Sequence, residues 1–331
     1  MSEKNVSVVT GANGFVGSHL VDLLISKGHE VKCLVRKSSN LRWLEGKDVQ
    51  IIDCGLFDKD GLREVLTGAD YLFHVAGVVK AKKEEDYFKG NVESTRNLLD
   101  TLLEVNKEIK RVVIVSSQTA GGPSTAIDRP KKESDPSVPI TTYGRSKKAQ
   151  EDLARTYFDK LPISIVRASA IYGERDTEIF LVFRTYKQGL FSLVGFNDKR
   201  LSLIHVADLV NGLYLCTTTD KAVGQFYNVG SDVFYTWPEI GKVIEKSFNK
   251  KAFTVRLPHF IVYTVAVFAQ FFAMFSSKAA TFNIEKARDF VQAYWTIDVS
   301  KAREDLGYTQ KVSISEGIKR AIDWYKENKW L

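Results

Sequence analysis

The chain has 331 residues, 44% of them hydrophobic and 26% charged, with 22 Gly and only 7 Pro. That balance excludes a disordered, collagen-like or low-complexity protein and suits one large or two modest globular domains. The net charge is +7, yet the bases alternate with acids, as in Lys80-Ala-Lys-Lys-Glu-Glu85. No nucleic-acid stripe results, and the surplus suits an anionic cofactor or an anionic membrane surface.

The first 170 residues alternate short apolar runs with amphipathic segments. Strands are expected at Val6–Thr10, Val31–Val35, Val49–Ile52, Tyr71–His74, Val112–Ser116 and Ile163–Arg167. Helices are expected at Gly14–Lys27, Lys59–Leu66, Tyr87–Glu104 and Tyr143–Lys160. The strands read as continuously apolar, the mark of a parallel sheet covered on both faces. Strand–helix–strand repetition implies right-handed crossovers and a doubly wound α/β sheet of Rossmann type.

Beyond Arg167 the rhythm weakens. Tyr172-Gly-Glu-Arg-Asp176 is loop-like, Ile179–Gln188 reads as a helix, and Ile204–Tyr214 passes from a strand end into a helix. Phe226–Val229 is expected to return to the sheet. The nucleotide domain is therefore drawn over 1–170 plus about 201–230. A smaller, mainly helical lobe takes 171–200 and 231–331. No Pro/Gly/Ser linker separates them. One stretch, Pro258–Phe275, is apolar and uncharged apart from His259, near the roughly 20 residues needed to cross a bilayer. A crossing would separate the residues that precede it from those that follow. A buried lobe helix, or an exposed segment lying on a membrane or roofing a lipophilic substrate site, are the other readings.

Cys33, Cys54 and Cys216 form no CxxC, leave an odd count and sit among apolar neighbours, so buried reduced thiols and a cytoplasmic setting are expected. Met1-Ser-Glu-Lys-Asn-Val lacks the apolar run of a leader. The five histidines are scattered without HxH or HExxH, so no metal site is expected.

Thr10-Gly-Ala-Asn-Gly-Phe-Val-Gly17 follows the first strand and opens the first helix. Gly11 permits a tight turn, Gly14 lets backbone approach a pyrophosphate, and Gly17 lets the helix pack closely. Asn13, Phe15 and Val16 complete the loop. The helix N-terminus offers N–H groups and dipole charge to phosphates.

With residues further on, this G-x-x-G-x-x-G loop resembles the extended branch of the short-chain dehydrogenase/reductase family. Val75-Ala76-Gly77 matches its adenine-side turn. Asn91-Val-Glu-Ser-Thr-Arg-Asn-Leu-Leu99 matches its N-V-x-G-T-x-N-L-L helix, with Ser94 for the usual Gly. Val115-Ser116-Ser117 matches the strand end with the catalytic serine, and Tyr143-Gly-Arg-Ser-Lys147 the Y-x-x-x-K motif. The likeness continues through Arg167–Gly173, His205-Val-Ala-Asp208 and Lys301–Gly307. Tyr325–Lys329 also fits Y-x-x-x-K, but no serine-bearing strand end precedes it, and it reads as a solvated helix face.

The i,i+4 spacing puts Tyr143 and Lys147 on one helix face, where a nearby ammonium would lower the phenol's pKa. The resemblance implies that Tyr143 is the acid/base and that Ser117 binds the reacting oxygen. It further implies that Lys147 holds the nicotinamide ribose and that Asn91 anchors a water. Gln118 and Thr119 stand where nucleotide-sugar dehydratases carry an acid, which argues against elimination chemistry.

NAD-dependent members place an Asp after the second strand. Here the chain reads Cys33-Leu-Val-Arg36-Lys37 with Arg42 following. A guanidinium there suits a 2′-phosphate, so NADP(H) is favoured over NAD(H). Gly55-Leu56 replaces the usual Asp-Leu at the adenine contact.

The apolar stretch, Tyr294-Trp295 and the Trp324–Trp330 ending look like the 3β-hydroxysteroid and sterol dehydrogenase subgroup with its bacterial relatives. That likeness implies an oxidoreductase acting on a hydrophobic hydroxyl/keto substrate, steroid-like or a fatty β-keto compound. The alternatives are a nucleotide-sugar 4-epimerase retaining NAD and a non-catalytic nucleotide sensor. The expected partners are a lipophilic small molecule, a membrane surface touched peripherally through 258–275, and a second copy in a homodimer.

Overall fold

The computed structural model describes residues 4–275 and 282–331. The start of the leader reading, residues 1–3, lies outside them. In chain order the elements are β1 (Val6–Thr10), α1 (Phe15–Ser26), β2 (Glu30–Val35), β3 (Gln50–Asp53), α2 (Lys59–Leu66), β4 (Tyr71–His74), α3 (Glu84–Phe88), α4 (Ser94–Val105), β5 (Arg111–Ser117), α5 (Gln118–Gly121), α6 (Thr142–Arg155), β6 (Ile163–Ala168) and β7 (Ala170–Tyr172). They continue with α7 (Phe180–Lys187), β8 (Leu190–Val194), β9 (Arg200–His205), α8 (Val206–Leu215), β10 (Gln225–Val229), β11 (Phe234–Tyr235), α9 (Trp237–Phe248), β12 (Phe253–Leu257), α10 (His259–Met274), α11 (Ile284–Val291), β13 (Tyr294–Trp295), α12 (Ser300–Leu306) and α13 (Ile314–Glu327).

Seven parallel strands form the central sheet in the order β10-β6-β5-β4-β1-β2-β3. The chain reverses its direction of growth between β1 and β4, the place where α/β sheets bind nucleotides. Both faces are covered. One apolar layer joins α1 and α8 to the sheet through Leu20, Val21, Leu24, Leu209 and Leu213. The other joins α2, α4 and α6 through Leu62, Leu66, Leu98, Leu102 and Leu153. The three cysteines are buried thiols within these layers, and the carbon-rich surroundings push the Cys33 thiol up to about 12. The strand β3 departs from the continuously buried pattern, because as the edge strand it leaves Ile51 exposed.

The region after Arg167 holds more strand than its sequence advertises. The short strands β7, β9, β11 and β13 make a four-stranded sheet, and β8 pairs with β12. Of the segment 201–230, α8 and β10 join the central sheet's layers, while β9 belongs to the small sheet. A third core of Phe183, Tyr186, Phe191, Ile240, Ile244, Ile318 and Ile322 packs α7, α9 and α13 together. Tyr325 corrects the reading of Tyr325–Lys329 as a solvated face. It is fully buried, its hydroxyl lies 2.8 Å from the carbonyl oxygens of both Gly173 and Asp176, and its ring stacks on Trp330.

The helix α10 is amphipathic by position, not by composition. Val262 and Ala266 are buried against Ala287, Val194 and Leu257, while the opposite face meets solvent. Among the described residues no helix is long and apolar enough to cross a membrane.

Candidate active site at the C-terminal strand edge

The glycine loop is shaped by contacts that exclude side chains. Gly11 has φ +68°, and a Cβ there would stand 2.8 Å from the Ala76 nitrogen. A Cβ on Gly17 would stand 2.1 Å from the Gly11 oxygen. The loop therefore touches both the helix behind it and the Val75–Gly77 turn beside it. Gly14 is the N-cap of α1 and brings no side chain to the cap, and no acid occupies the first turn. The first N–H groups of α1 thus face outward as an anion site, and the cradle fits the pyrophosphate of a dinucleotide. Phe15 and Val16 are half-buried in the same turn, and Asn13 donates to the Asn40 carbonyl across it.

A buried relay ties this loop to α4. Ala76 N donates to Thr10 Oγ1. Thr10 Oγ1 and Thr95 Oγ1 lie 2.8 and 2.9 Å from His74 Nδ1 and Nε2. Since the Thr95 hydroxyl donates its one proton to the Asn91 carbonyl, Nε2 must carry the hydrogen and Nδ1 must accept. Burial holds His74 down to about 3, so it stays neutral. Nothing in the pattern of a lone strand-end histidine distinguishes this role.

Asn91 sits in a π-helical turn, Lys89–Glu93, that interrupts the regular helix expected over Tyr87–Glu104. Its Oδ1 accepts from Val78 N at 2.7 Å, and its Nδ2 donates to Val78 O and to Ser146 Oγ. Both amide hydrogens are spent. The side chain joins the turn after Gly77 to α6. Leu56 packs into the sheet layer near Asn97, which donates to the Leu56 carbonyl.

Ser117 ends β5 and caps α5, accepting from Thr119 N and Thr119 Oγ1. Its own proton remains available on the side of the Tyr143 phenol, whose pKa Ser117 lowers. Ser116 points the other way and donates to Glu151 at 2.6 Å. Thr141 caps α6 through Gly144 N and so sets where Tyr143 enters the site.

The pairing of Tyr143 with Lys147 differs from the sequence-based expectation. Lys147 Nζ donates to the Val115 carbonyl at 2.7 Å and lies under Gly77, 3.8 Å from where a Cβ would be. Burial pushes Tyr143 up to about 12 against the opposing hydrogen bond from Ser117, with Asp289 and Tyr87 raising it further. Burial likewise pulls Lys147 down to about 8. Desolvation sets the direction for both groups, and Lys147 is not among the groups that shift the phenol.

Asp289 on α11 escaped sequence reasoning. It sits in a C-terminal helix that carries no motif, yet α11 lies across the start of α6. Glu285 accepts from Thr142 N, and Arg288 donates to the Ile140 carbonyl. The Asp289 Oδ1 is buried with no hydrogen-bond partner, and burial, reinforced by Glu285, pushes its carboxyl up to about 7.

Of the two arginines proposed for a 2′-phosphate, Arg36 follows β2 directly and is exposed. Arg42 is stacked instead on indoles, 4.3 Å from the Trp43 ring centroid and 5.1 Å from that of Trp330. The loop 173–176 is strapped to the nucleotide helix: Arg175, at φ +69°, donates to Ser18 and Asp22, and His19 meets the Glu174 carbonyl. The described residues contain no group of His, Cys, Asp or Glu that could hold a metal.

A seven-stranded parallel sheet, a side-chain-free phosphate cradle and a Ser/Tyr/Lys set at one strand edge together define a nucleotide-dependent enzyme of the extended short-chain dehydrogenase/reductase type. The chain belongs to the NAD dependent epimerase/dehydratase family, which matches residues 7–230. It is 28% identical over 329 residues to a ceramide reductase of Caulobacter vibrioides, covering 99% of this chain and 96% of that protein. It is 23% identical to the decarboxylating sterol-4-alpha-carboxylate 3-dehydrogenase of Dictyostelium discoideum, covering 95% and 99%. Among solved structures, UDP-glucuronic acid 4-epimerase from Bacillus cereus with UDP-glucuronic acid and NAD superposes with a TM-score of 0.78 at 22% identity, covering 98% and 99%.

Proposed function

We propose that the protein is an NAD(P)H-dependent reductase, or the reverse dehydrogenase, interconverting a keto and a hydroxyl group on a lipophilic substrate. The observation that carries this reading is the meeting of Ser117, at the end of β5, with α6, whose Gly144 lies against the Thr119 carbonyl and whose Lys147 Nζ donates to the Val115 carbonyl, so that Tyr143 comes to the same strand edge. The cofactor would rest on Gly11, Gly14 and Gly17, along Val75–Gly77 and Leu56, with Lys147 at the nicotinamide ribose. The nicotinamide supplies hydride exchange with the carbonyl carbon when bound. Tyr143 then gives its proton to the carbonyl oxygen, Ser117 donates a hydrogen bond to that oxygen, and Asn91 keeps turn and helix in register.

Two features favour reduction or oxidation of a lipid over sugar elimination. Neutral Gln118 and Thr119 follow Ser117, leaving no carboxylate there to draw off a proton. The ceramide reductase, at 28% identity, is more similar over nearly the whole chain than the UDP-sugar decarboxylase and the undecaprenol-linked 4-epimerase, at 26% and 24%. Arg36 at the exposed end of β2 suits the 2′-phosphate of NADPH. Within about 201–230, α8 and β10 go with the nucleotide domain, while β9 goes with the smaller lobe of 171–200 and 231–331.

The test is turnover of a panel of ketosteroids, long-chain β-keto compounds and UDP-sugars with each nicotinamide cofactor. Reduction of a lipophilic ketone using external NADPH is the expected result. Epimerisation of a UDP-sugar without added cofactor, by protein that purifies with NAD bound, would replace this reading with that of a 4-epimerase.

A further inference from the structure

The outer face of α10 lacks an explanation in the catalytic site. From His259 to Met274 the helix contains no Asp, Glu, Lys or Arg. A helix on a protein surface ordinarily turns polar residues to water. Here Phe260, Phe268, Phe271, Phe272 and Phe275 are between 51% and 78% exposed. Val265 and Val267 fill the gaps between them. Phe271 touches Phe272 and Phe275 edge to face, so these three rings form a continuous apolar patch at the end of the helix.

The segment that leads into α10 is basic. From Lys246 to Pro258 the chain carries Lys246, Lys250, Lys251 and Arg256 and no Asp or Glu. Lys250, Lys251 and Arg256 are exposed on the approach to α10. An apolar aromatic face entered through a basic segment is complementary to an anionic bilayer, whose headgroups attract the lysines while its acyl boundary accepts the rings. A second copy would bring an equally basic segment to the contact, whereas an anionic surface neutralises it.

Length and packing decide how the helix would lie. Sixteen residues span about 24 Å, short of a hydrocarbon core of about 30 Å. The opposite side of α10 is already committed, with Val262 and Ala266 packed on Ala287 of α11. We propose that α10 docks the protein on an anionic lipid bilayer, lying in the interface with its phenylalanine face down and not crossing it. α11, packed on α10, reaches the start of α6 through Glu285 and Arg288, so docking brings the lipid surface to the side of the molecule that holds Tyr143. The docking itself does not depend on which reaction is catalysed.

Flotation of the full-length protein with phosphatidylcholine vesicles, with and without phosphatidylglycerol, tests the proposal. The protein should float with the anionic vesicles, float less with neutral ones, and dissociate as salt rises. Phe268→Asp with Phe272→Asp should cut the floated fraction at least about tenfold, since two rings lose their lipid burial. Because both rings face water, the thermal midpoint should move by no more than about 2 °C. Lys250→Glu with Lys251→Glu should weaken flotation on anionic vesicles alone. Wild-type protein that stays at the bottom of the gradient with both vesicles would overturn the proposal. So would unfolding of the Phe268/Phe272 variant, which would mean that this face is covered within the protein. Light scattering showing a dimer that the Phe268/Phe272 variant breaks, without flotation, would assign the face to a second copy.

Discussion

Arg167 on β6 grips Glu151 on α6 through two hydrogen bonds, Nε to Oε1 at 2.9 Å and Nη2 to Oε2 at 2.7 Å, with both side chains buried. Ser116 donates to the same carboxylate, so the residue next to Ser117 and the turn after Lys147 are fixed by one ion pair. The pair sets how α6 sits on the sheet, and therefore where Tyr143 and Lys147 meet Ser117. Removing one partner strands a buried charge. Glu151→Gln should cost about 3–5 kcal/mol in urea unfolding. Glu151→Gln with Arg167→Met should recover a large part of that loss, because the stranded guanidinium is gone. Equal losses in the single and double variants would show that the guanidinium was never left unpaired.

Tyr143→Phe should lower turnover by about two to four orders of magnitude, the usual range for a general acid–base group. Cofactor affinity, followed by fluorescence titration, should persist because the glycine cradle is untouched. A variant with near-normal turnover would remove Tyr143 from the chemistry.

Asp289 gives stability a pH dependence of known sign. Its carboxyl is raised from 3.8 to about 7, mainly by burial. Between those values the folded chain keeps a proton that the unfolded chain has released, so the contribution to stability falls as pH rises through the window. Asp289→Asn removes the penalty. The variant should gain little in thermal midpoint at pH 4 and show its full gain by pH 8. A gain independent of pH would place the effect in packing, with ionisation having no part.

The proposed preference for NADPH turns on a single side chain. Arg36→Asp should abolish a preference for NADPH by losing a charge-assisted contact worth about 1.5–3 kcal/mol and by repelling the 2′-phosphate. Comparing kcat/KM for NADPH and NADH in wild type and variant checks it. Tighter use of NADH by the wild type would show that Arg36 serves another purpose.

Gly17→Ala tests the cradle. The added Cβ would fall 2.1 Å from the Gly11 oxygen, so α1 must retreat from the loop. A destabilisation of about 1–3 kcal/mol from overpacking, together with weaker dinucleotide binding, is expected from calorimetry. Unchanged binding would mean that the loop can move without loss.

What the sequence determined by itself is whatever local periodicity and short-range motifs carry. Val6–Thr10, Lys59–Leu66 and Tyr71–His74 match the structure residue for residue, because buried parallel strands and a strongly amphipathic helix write their period into neighbouring positions. The glycine loop and the Ser117/Tyr143/Lys147 set were legible for the same reason, each being a short pattern beside a recognisable element. Tertiary structure alone decided the rest. Tyr325 is buried because the 173–176 loop and Trp330 close over it, a contact spanning about half the chain. Asp289 comes near enough to raise the Tyr143 phenol because α11 lies against the start of α6, and no spacing within either helix records that. The face that α10 shows to water was equally hidden. A helix apolar all round has no period to read, and only the neighbours that cover Val262 and Ala266 decide which side is left for solvent.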